Sequence, residues 1–367
     1  MNPVGYQRLR IDTPSIGSYY AVVDDEYVPH ALVSRWLEVR FFGRAHAETT
    51  SAQYASSLAL FLGWVERTGR DLPSAAHDLH LFQAYLSTAP LTSGPCAGRP
   101  RRVGRINRIL VAVREFYRFA VAEGALPRAV LDMLFEMPNE NGFGARNGPR
   151  VRHRGREPRR ASAPDQATAA EVTELLRSAT TARDRFLIML LALTGLRVGQ
   201  ALGLRRQDLH LVPDASRLGL SIPGTEQLCR IPGEHMHIVR RRNPNRAWSK
   251  AGFDFTVPVP AILLALYDRY TDERERCREA ADNDMLVVAL SGPTRGNAMS
   301  ARNLHKTFER LAGAAGLRHI HPHMLRHFAA SEHLASGTTR DELQTLLGWA
   351  SPASAEPYIH VNADRRR

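Results

Sequence analysis

A chain of 367 residues is long enough for two domains with a sizeable core in each. Its 49 lysines and arginines outweigh 37 acidic residues, and the formal charge of +12 points to a polyanionic partner, with a nucleic acid ahead of an anionic membrane. No apolar run approaches membrane-spanning length and the opening residues do not resemble a signal peptide, so the protein is expected to stay in the cytoplasm, associated with the nucleoid and with no membrane partner.

Three cysteines, Cys96, Cys229 and Cys277, are odd in number and far apart, which argues against a disulfide framework and for simple packing in a reducing compartment. Only Lys250 and Lys306 among the basic residues are lysine, so a lysine that persists invites a chemical explanation.

In chain order, residues 1–27 form an N-terminal extension. Residues 28–137 read as a small all-helical domain, with helices expected around Leu32 to Phe42, Thr50 to Arg67, Asp78 to Leu86 and along RINRILVAVREFYRFAVAEG. In that last helix Ile106, Ile109, Leu110, Val113, Tyr117, Ala120 and Val121 make one apolar stripe, leaving Arg105 and Arg108 off it as candidate DNA contacts.

Periodicity dissolves over 138–164, where ARNGPRVRHRGREPRR carries Arg146, Arg150, Arg152, Arg154, Arg156, Arg159 and Arg160. We expect a basic linker that lies along a phosphate backbone. Order returns for residues 165–367. Thr168 and Glu171 have capping-box spacing, and a second helix starts near Ala182, runs through FLIMLLAL and stops at Thr194 and Gly195. Three β-prone segments follow, at 218–222, 235–239 and 253–259, predicting a small antiparallel sheet. The last two flank the loop RRRNPNRAWSKAG, which offers Arg240 and Asn245 as further DNA contacts. Helices are expected near 260–280, 300–315, 323–336 and 339–347, so the fold class is mainly α with a mixed α/β second domain.

The stretch HPHMLRH, residues 321–327, packs three histidines beside an arginine. Zinc would also want a thiolate or carboxylate at compatible spacing, and Glu332 and Cys277 are badly placed, so phosphate is the better suspect and no metal is expected. His323 and Arg326, three apart, share a helix face, while His321 and His327 read as packed histidines with His327 pointing elsewhere. Arg197 follows the helix-breaking Gly195, where a helix N-terminus could help hold a phosphate. Tyr358 follows Pro357, at a bend or the start of a short helix.

The order of these pieces, Arg197, Lys250 on a hairpin loop, His323-x-x-Arg326, Leu347-Gly348-Trp349 and then Tyr358, closely resembles the tyrosine recombinases, the phage integrase family. The similarity spans about 165–361, and TSAQYASSLALFLGWVERTG with INRILVAVREFYRFA looks like the family's helical, SAM-like core-binding domain. VVDDEYVP, RRRNPNRAWSK and TVPVP also resemble the integrases of transposons and integrative elements.

That resemblance implies a site-specific recombinase whose two domains clamp duplex DNA as dimers pairing into a tetramer, with accessory DNA-bending or directionality proteins as further partners. Strands would be exchanged through a 3′-phosphotyrosyl intermediate and a Holliday junction, without a cofactor. Tyr358 would be the nucleophile, Arg197 and Arg326 the clamp on the non-bridging oxygens, and His323 an aid to proton transfer or oxygen contact. Lys250 would protonate the departing 5′-oxygen, a task arginine cannot perform, and Trp349 would donate to the phosphate or pack the nucleophile's segment. Gln200 stands where the family commonly has glutamate, and the nine residues after Tyr358 leave little for the exchanged C-terminal helix of many relatives. The alternatives are a type IB topoisomerase, a non-catalytic DNA clamp descended from an integrase and, more distantly, a metal hydrolase built on His321, His323 and His327.

Overall fold

The computed structural model describes residues 5–13, 17–44, 48–91, 97–136, 152–153, 165–249, 253–356 and 358. The chain divides into two compact units, Met1–Ala161 and Ser162–Arg367. Among the described residues no helix is long and apolar enough to cross a membrane.

The first unit opens with an antiparallel hairpin, β1 (Gln7–Thr13) and β2 (Gly17–Val23), inside the segment set apart above as an extension. Val22 on β2 is fully buried in the same core as the helices, so the hairpin is part of this unit's packing. The helices are α1 (Ala31–Arg44), α2 (Glu48–Arg67), α3 (Leu72–His77), α4 (Leu79–Thr88), α5 (Val103–Ala122) and α6 (Ala129–Leu134). Trp36, Phe61, Phe82, Phe116 and Tyr117 fill their centre. The sequence places one helix near 78–86, yet α3 precedes it. Asp71 caps α3 by accepting from the Ser74 N–H, with proline in the first turn, and the Tyr117 hydroxyl donates to the Leu72 carbonyl from α5. Two two-residue strands, β3 (Phe135–Glu136) and β4 (Arg152–His153), pair antiparallel, the second within the expected linker.

In the second unit, α7 (Ala169–Ser178) starts on both halves of the Thr168/Glu171 capping box. Helix α8 (Ala182–Thr194) is apolar around most of its circumference, so it sits at the centre and is covered by α10 (Ala261–Glu275) and α12 (Pro322–Ala335). It ends because Gly195 turns left-handed at φ +60°. A one-turn helix, α9 (Val198–Ala201), follows, then a three-stranded antiparallel sheet in the order β5 (Leu209–His210), β6 (His235–Ile238) and β7 (Phe255–Pro258).

Two of the three expected strands therefore form, and 218–222 does not. Gly219 sits at φ +66° and interrupts the extended backbone, leaving a single bridge between Ser221 and Leu228, while Leu209–His210 takes the third position. Helices α11 (Ala301–Ala314), α12 and α13 (Arg340–Leu347) complete the unit, with capping serine or threonine at Ser300 and Thr339.

Candidate active site

Two helix ends build the site. Helix α8 stops at Gly195 and α13 stops at Gly348, each in the left-handed conformation, and each end presents carbonyls that no helical N–H can reach. The space is as restrictive as the backbone. A Cβ on Gly195 would meet Leu347 at 2.4 Å, and one on Gly348 would meet the Phe255 ring at 2.5 Å. Close packing of the two glycine turns gathers their carbonyls in one place, at the negative ends of two helix dipoles.

Both arginines singled out above bind there. Arg326, on α12 and 2% exposed, donates from Nη1 to the Gly195 carbonyl at 2.5 Å and from Nη2 to the Leu347 carbonyl at 3.0 Å. Arg197, the N-cap residue of α9, donates from Nη1 to the Gly348 carbonyl at 3.3 Å, and its own N–H donates to Oε1 of Gln200 at 2.8 Å. Gln200 thus does the local backbone part of what a glutamate would do, while its amide nitrogen is buried without a partner among the described residues.

Among the described residues neither arginine forms an ion pair with a carboxylate. Burial and the neighbouring Arg197 push Arg326 down to about 9, and burial likewise lowers Arg197. Two like charges sharing an apolar setting without an acid are a site short of an anion.

Tyr358 completes the cluster. It lies beyond a short 3-10 turn, Pro352–Ala355, and is 5% exposed. Its ring stacks on Trp349 at 5.7 Å and 17°, and Trp349 also lies under the Arg326 guanidinium at 5.7 Å. Burial raises the tyrosine pKa, while Arg326 and Arg197 pull it back down. The buried ring of Trp349 therefore packs the tyrosine segment against the arginine.

His323 lies on the first turn of α12, where burial, with Arg326, His321 and Arg197 nearby, holds its pKa below the usual imidazole value. His327 is the residue that sequence reasoning set aside. It faces Tyr358, with Nδ1 hydrogen-bonded to the tyrosine hydroxyl, and its ring meets that of His323 edge-on at 4.4 Å. The i, i+4 spacing of the two histidines was the available signal, because it stacks them on one face. His321 is the N-cap of α12, half-buried beside His319. The three histidines are spread along the first turns of the helix without a shared centre among the described residues.

Lys250 lies outside the described residues, as do Arg146, Arg150, Arg154, Arg156, Arg159, Arg160 and the nine residues after Tyr358. Arg152 is in β4. Arg105 and Arg108 are on α5, where burial and the charges of Arg108, Arg101 and Arg8 lower the Arg105 pKa, so this face also concentrates positive charge. Arg240 is exposed over the Trp248 ring at 5.1 Å. Asn245, expected as a DNA contact, is hydrogen-bonded within the unit. Its amide nitrogen donates to the Leu202 and Met299 carbonyls and its oxygen accepts from the Ala247 N–H, which locks the loop to the body of the unit.

Comparison with known proteins bears on the family and the fold. Residues 166–365 match the phage integrase family. The chain is 23% identical over 344 residues to tyrosine recombinase XerD of Lacticaseibacillus casei, covering 91% of this chain and 94% of that protein. Its fold is similar to the XerH site-specific recombinase in a post-cleavage complex with palindromic difH DNA (TM-score 0.58, 19% identity, 89% of this chain and 81% of that one). It is also similar to the Tn1549 transposon integrase bound to circular-intermediate DNA (TM-score 0.54, 14% identity, 92% and 99%).

Proposed function

The chain belongs to the phage integrase family, the tyrosine recombinases, and we propose that it cuts and rejoins specific sites in cytoplasmic DNA through a covalent Tyr358 intermediate. The observation that carries this reading is the pair of arginines, Arg197 and Arg326, gathered beside Tyr358 with no carboxylate among the described residues to neutralise them.

A DNA phosphodiester supplies the missing anion. Arg326 and Arg197 hold its non-bridging oxygens and stabilise the charge that develops as the phosphorus becomes five-coordinate. The Tyr358 oxygen attacks phosphorus, the bond from phosphorus to the 5′-oxygen breaks, and a 3′-phosphotyrosyl link forms with release of a 5′-hydroxyl. The tyrosine proton leaves with help from the histidines of α12, His327 holding the hydroxyl and His323 facing the phosphate. Lys250 gives a proton to the departing oxygen, and Trp349 keeps the tyrosine segment against Arg326.

Because the bond energy is retained in the phosphotyrosine, a 5′-hydroxyl from a second duplex reverses the step and exchanges strands. Two rounds pass through a Holliday junction. Duplex DNA is the partner, and dimers pairing into a tetramer supply the four tyrosines, with accessory DNA-bending or directionality proteins setting the outcome. The likeness to a transposon integrase supports a mobile-element setting. Arg105, Arg108, Arg240 and the arginines of 138–164 follow the backbone phosphates.

The test is a two-site assay on supercoiled DNA carrying candidate element ends. Exchanged products from the wild type, absent with Tyr358→Phe, support recombination. Relaxed circles without exchange would point to a topoisomerase-like activity, and tight binding with neither product to a DNA clamp without catalysis.

A further inference from the structure

Apart from the recombination site, the second unit holds a compact group of donors that this chemistry does not use. Strand β5 pairs with β6 so that His210 lies directly opposite His235, and His237, two residues further along β6, falls on the same sheet face. Met236 and Ile238 point the other way, into the main core. The excursion 211–234 covers the histidine face and brings Cys229 over it, held by the Cys229 N–H donating to the Leu220 carbonyl at 2.8 Å. All four residues are buried, none more than 4% exposed.

We propose that His210, Cys229, His235 and His237 form a structural zinc site that fastens the 211–234 excursion to the sheet.

The distances match one ion. Zinc bonds of about 2.0–2.1 Å to nitrogen and 2.3 Å to sulfur make tetrahedral edges of roughly 3.3 Å between nitrogens and 3.5 Å between nitrogen and sulfur. Here Cys229 Sγ lies 3.2 Å from His235 Nε2 and 3.5 Å from His237 Nε2. His237 Nε2 is 3.2 Å from His235 Nε2 and 3.3 Å from His210 Nδ1. The donor atoms of all four lie within 4.8 Å of one another.

Hydrogen bonding serves this cluster poorly. His235 Nδ1 lies 2.7 Å from the Gly233 carbonyl and donates its proton there, so in the neutral ring Nε2 offers a lone pair inward. His237 Nε2 then faces that lone pair, a second imidazole nitrogen and a thiol, and it has at most one proton to direct at them. A cation accepts from all of them at once, with Cys229 releasing its proton on binding. Four protein ligands leave no open position, which is the arrangement of a structural rather than a catalytic zinc. Mixed imidazole and thiolate donors in a tetrahedron favour zinc among common metals.

HPHMLRH, which packs three histidines, has no thiolate at compatible spacing. The thiolate and its histidines come from three separate stretches that only sheet pairing brings together.

The test uses the full chain purified without a polyhistidine tag. Elemental analysis after dialysis is expected to find about one equivalent of zinc per chain, and replacement by cobalt to give the thiolate-to-cobalt charge-transfer band with tetrahedral d–d absorption. Cys229→Ser should lose the charge-transfer band, and His237→Ala most of the bound metal. Chelation should speed tryptic cleavage after the exposed Arg217 and Arg230. A wild type with less than about a tenth of an equivalent, and no change in melting or proteolysis on adding zinc, would overturn the proposal. So would zinc that Cys229→Ser and His237→Ala both retain in full, or cobalt spectra of the wild type that show no sulfur ligand.

Discussion

The hydroxyl of Tyr358 and Nδ1 of His327 share a hydrogen bond, across the space between the C-terminal segment and helix α12. Burial with His323, Arg326 and His321 holds His327 down to about 4, so the imidazole is neutral, while burial raises Tyr358 and keeps its proton in place. In this structure Tyr358, the nucleophile we propose, is therefore protonated, buried and held.

Removing either partner should expose the coupling. His327→Ala leaves a buried hydroxyl without an acceptor and is expected to cost about 1–3 kcal/mol in urea unfolding. Tyr358→Phe should cost less, because the remaining imidazole is half-buried and can reach water. The double variant is expected to lose less than the sum of the singles by at least about 0.5 kcal/mol. Additive losses would mean that the contact does not hold the segment.

The two arginines should separate in stability but not in chemistry. Each is expected to reduce the rate of covalent complex formation by about a hundredfold or more when changed to alanine. Arg326→Ala also strips donors from two helix-end carbonyls in a buried setting, so it should lower the melting temperature clearly more than Arg197→Ala, which removes one longer contact from a half-buried position. Single-turnover cleavage beside thermal melting measures both. Rates that simply track the melting temperatures would make the arginines structural.

Stability should fall on mild acidification. The unfolded His327 imidazole titrates at ~6.5 and the folded one at about 4, so between these values only the unfolded chain takes up the proton. The contribution is complete above the unfolded value and is lost as pH drops toward the folded one. The groups facing this ring are His323, Arg326, His321, Tyr358 and Asp165, and His323 shifts in the same direction. We expect the urea midpoint to be lower at pH 5 than at pH 7.5, and His327→Asn to shrink the difference. An unchanged difference would assign the acid sensitivity elsewhere.

Most of the helices were legible because their apolar spacing and end signals agree. Thr168 with Glu171 and Gly195 at φ +60° mark real boundaries. The failures have physical causes. The 218–222 stretch is β-prone in composition, but Gly219 adopts a left-handed turn, and the two-residue strand that replaces it is too short to have a period. Arg197, Arg326 and Tyr358 were identified by their order along the chain, whereas the helix-end carbonyls that hold the arginines depend on the meeting of Gly195 with Leu347 and of Gly348 with Phe255. His327 was misread because its partner lies 31 positions away, on a segment whose course no local pattern reveals.

DNA affinity should divide from catalysis along the chain. Replacing Arg105 and Arg108 with alanine is expected to flatten the slope of log affinity against log salt by roughly two, and changing several arginines between 146 and 160 to flatten it further. The cleavage rate of the bound complex should stay within a few-fold of wild type. A rate loss as large as that of Arg326→Ala would contradict this separation.

The covalent bond between Tyr358 and DNA is what the proposed recombination depends on. The direct measurement is to incubate wild type and Tyr358→Phe with element-end DNA, denature with SDS, and sequence any DNA that remains attached. Adducts are expected from the wild type alone, joined through a 3′-phosphate and mapping to one position on each strand. Adducts of equal yield from Tyr358→Phe, or none from a wild type verified as bound to the same DNA, would contradict it.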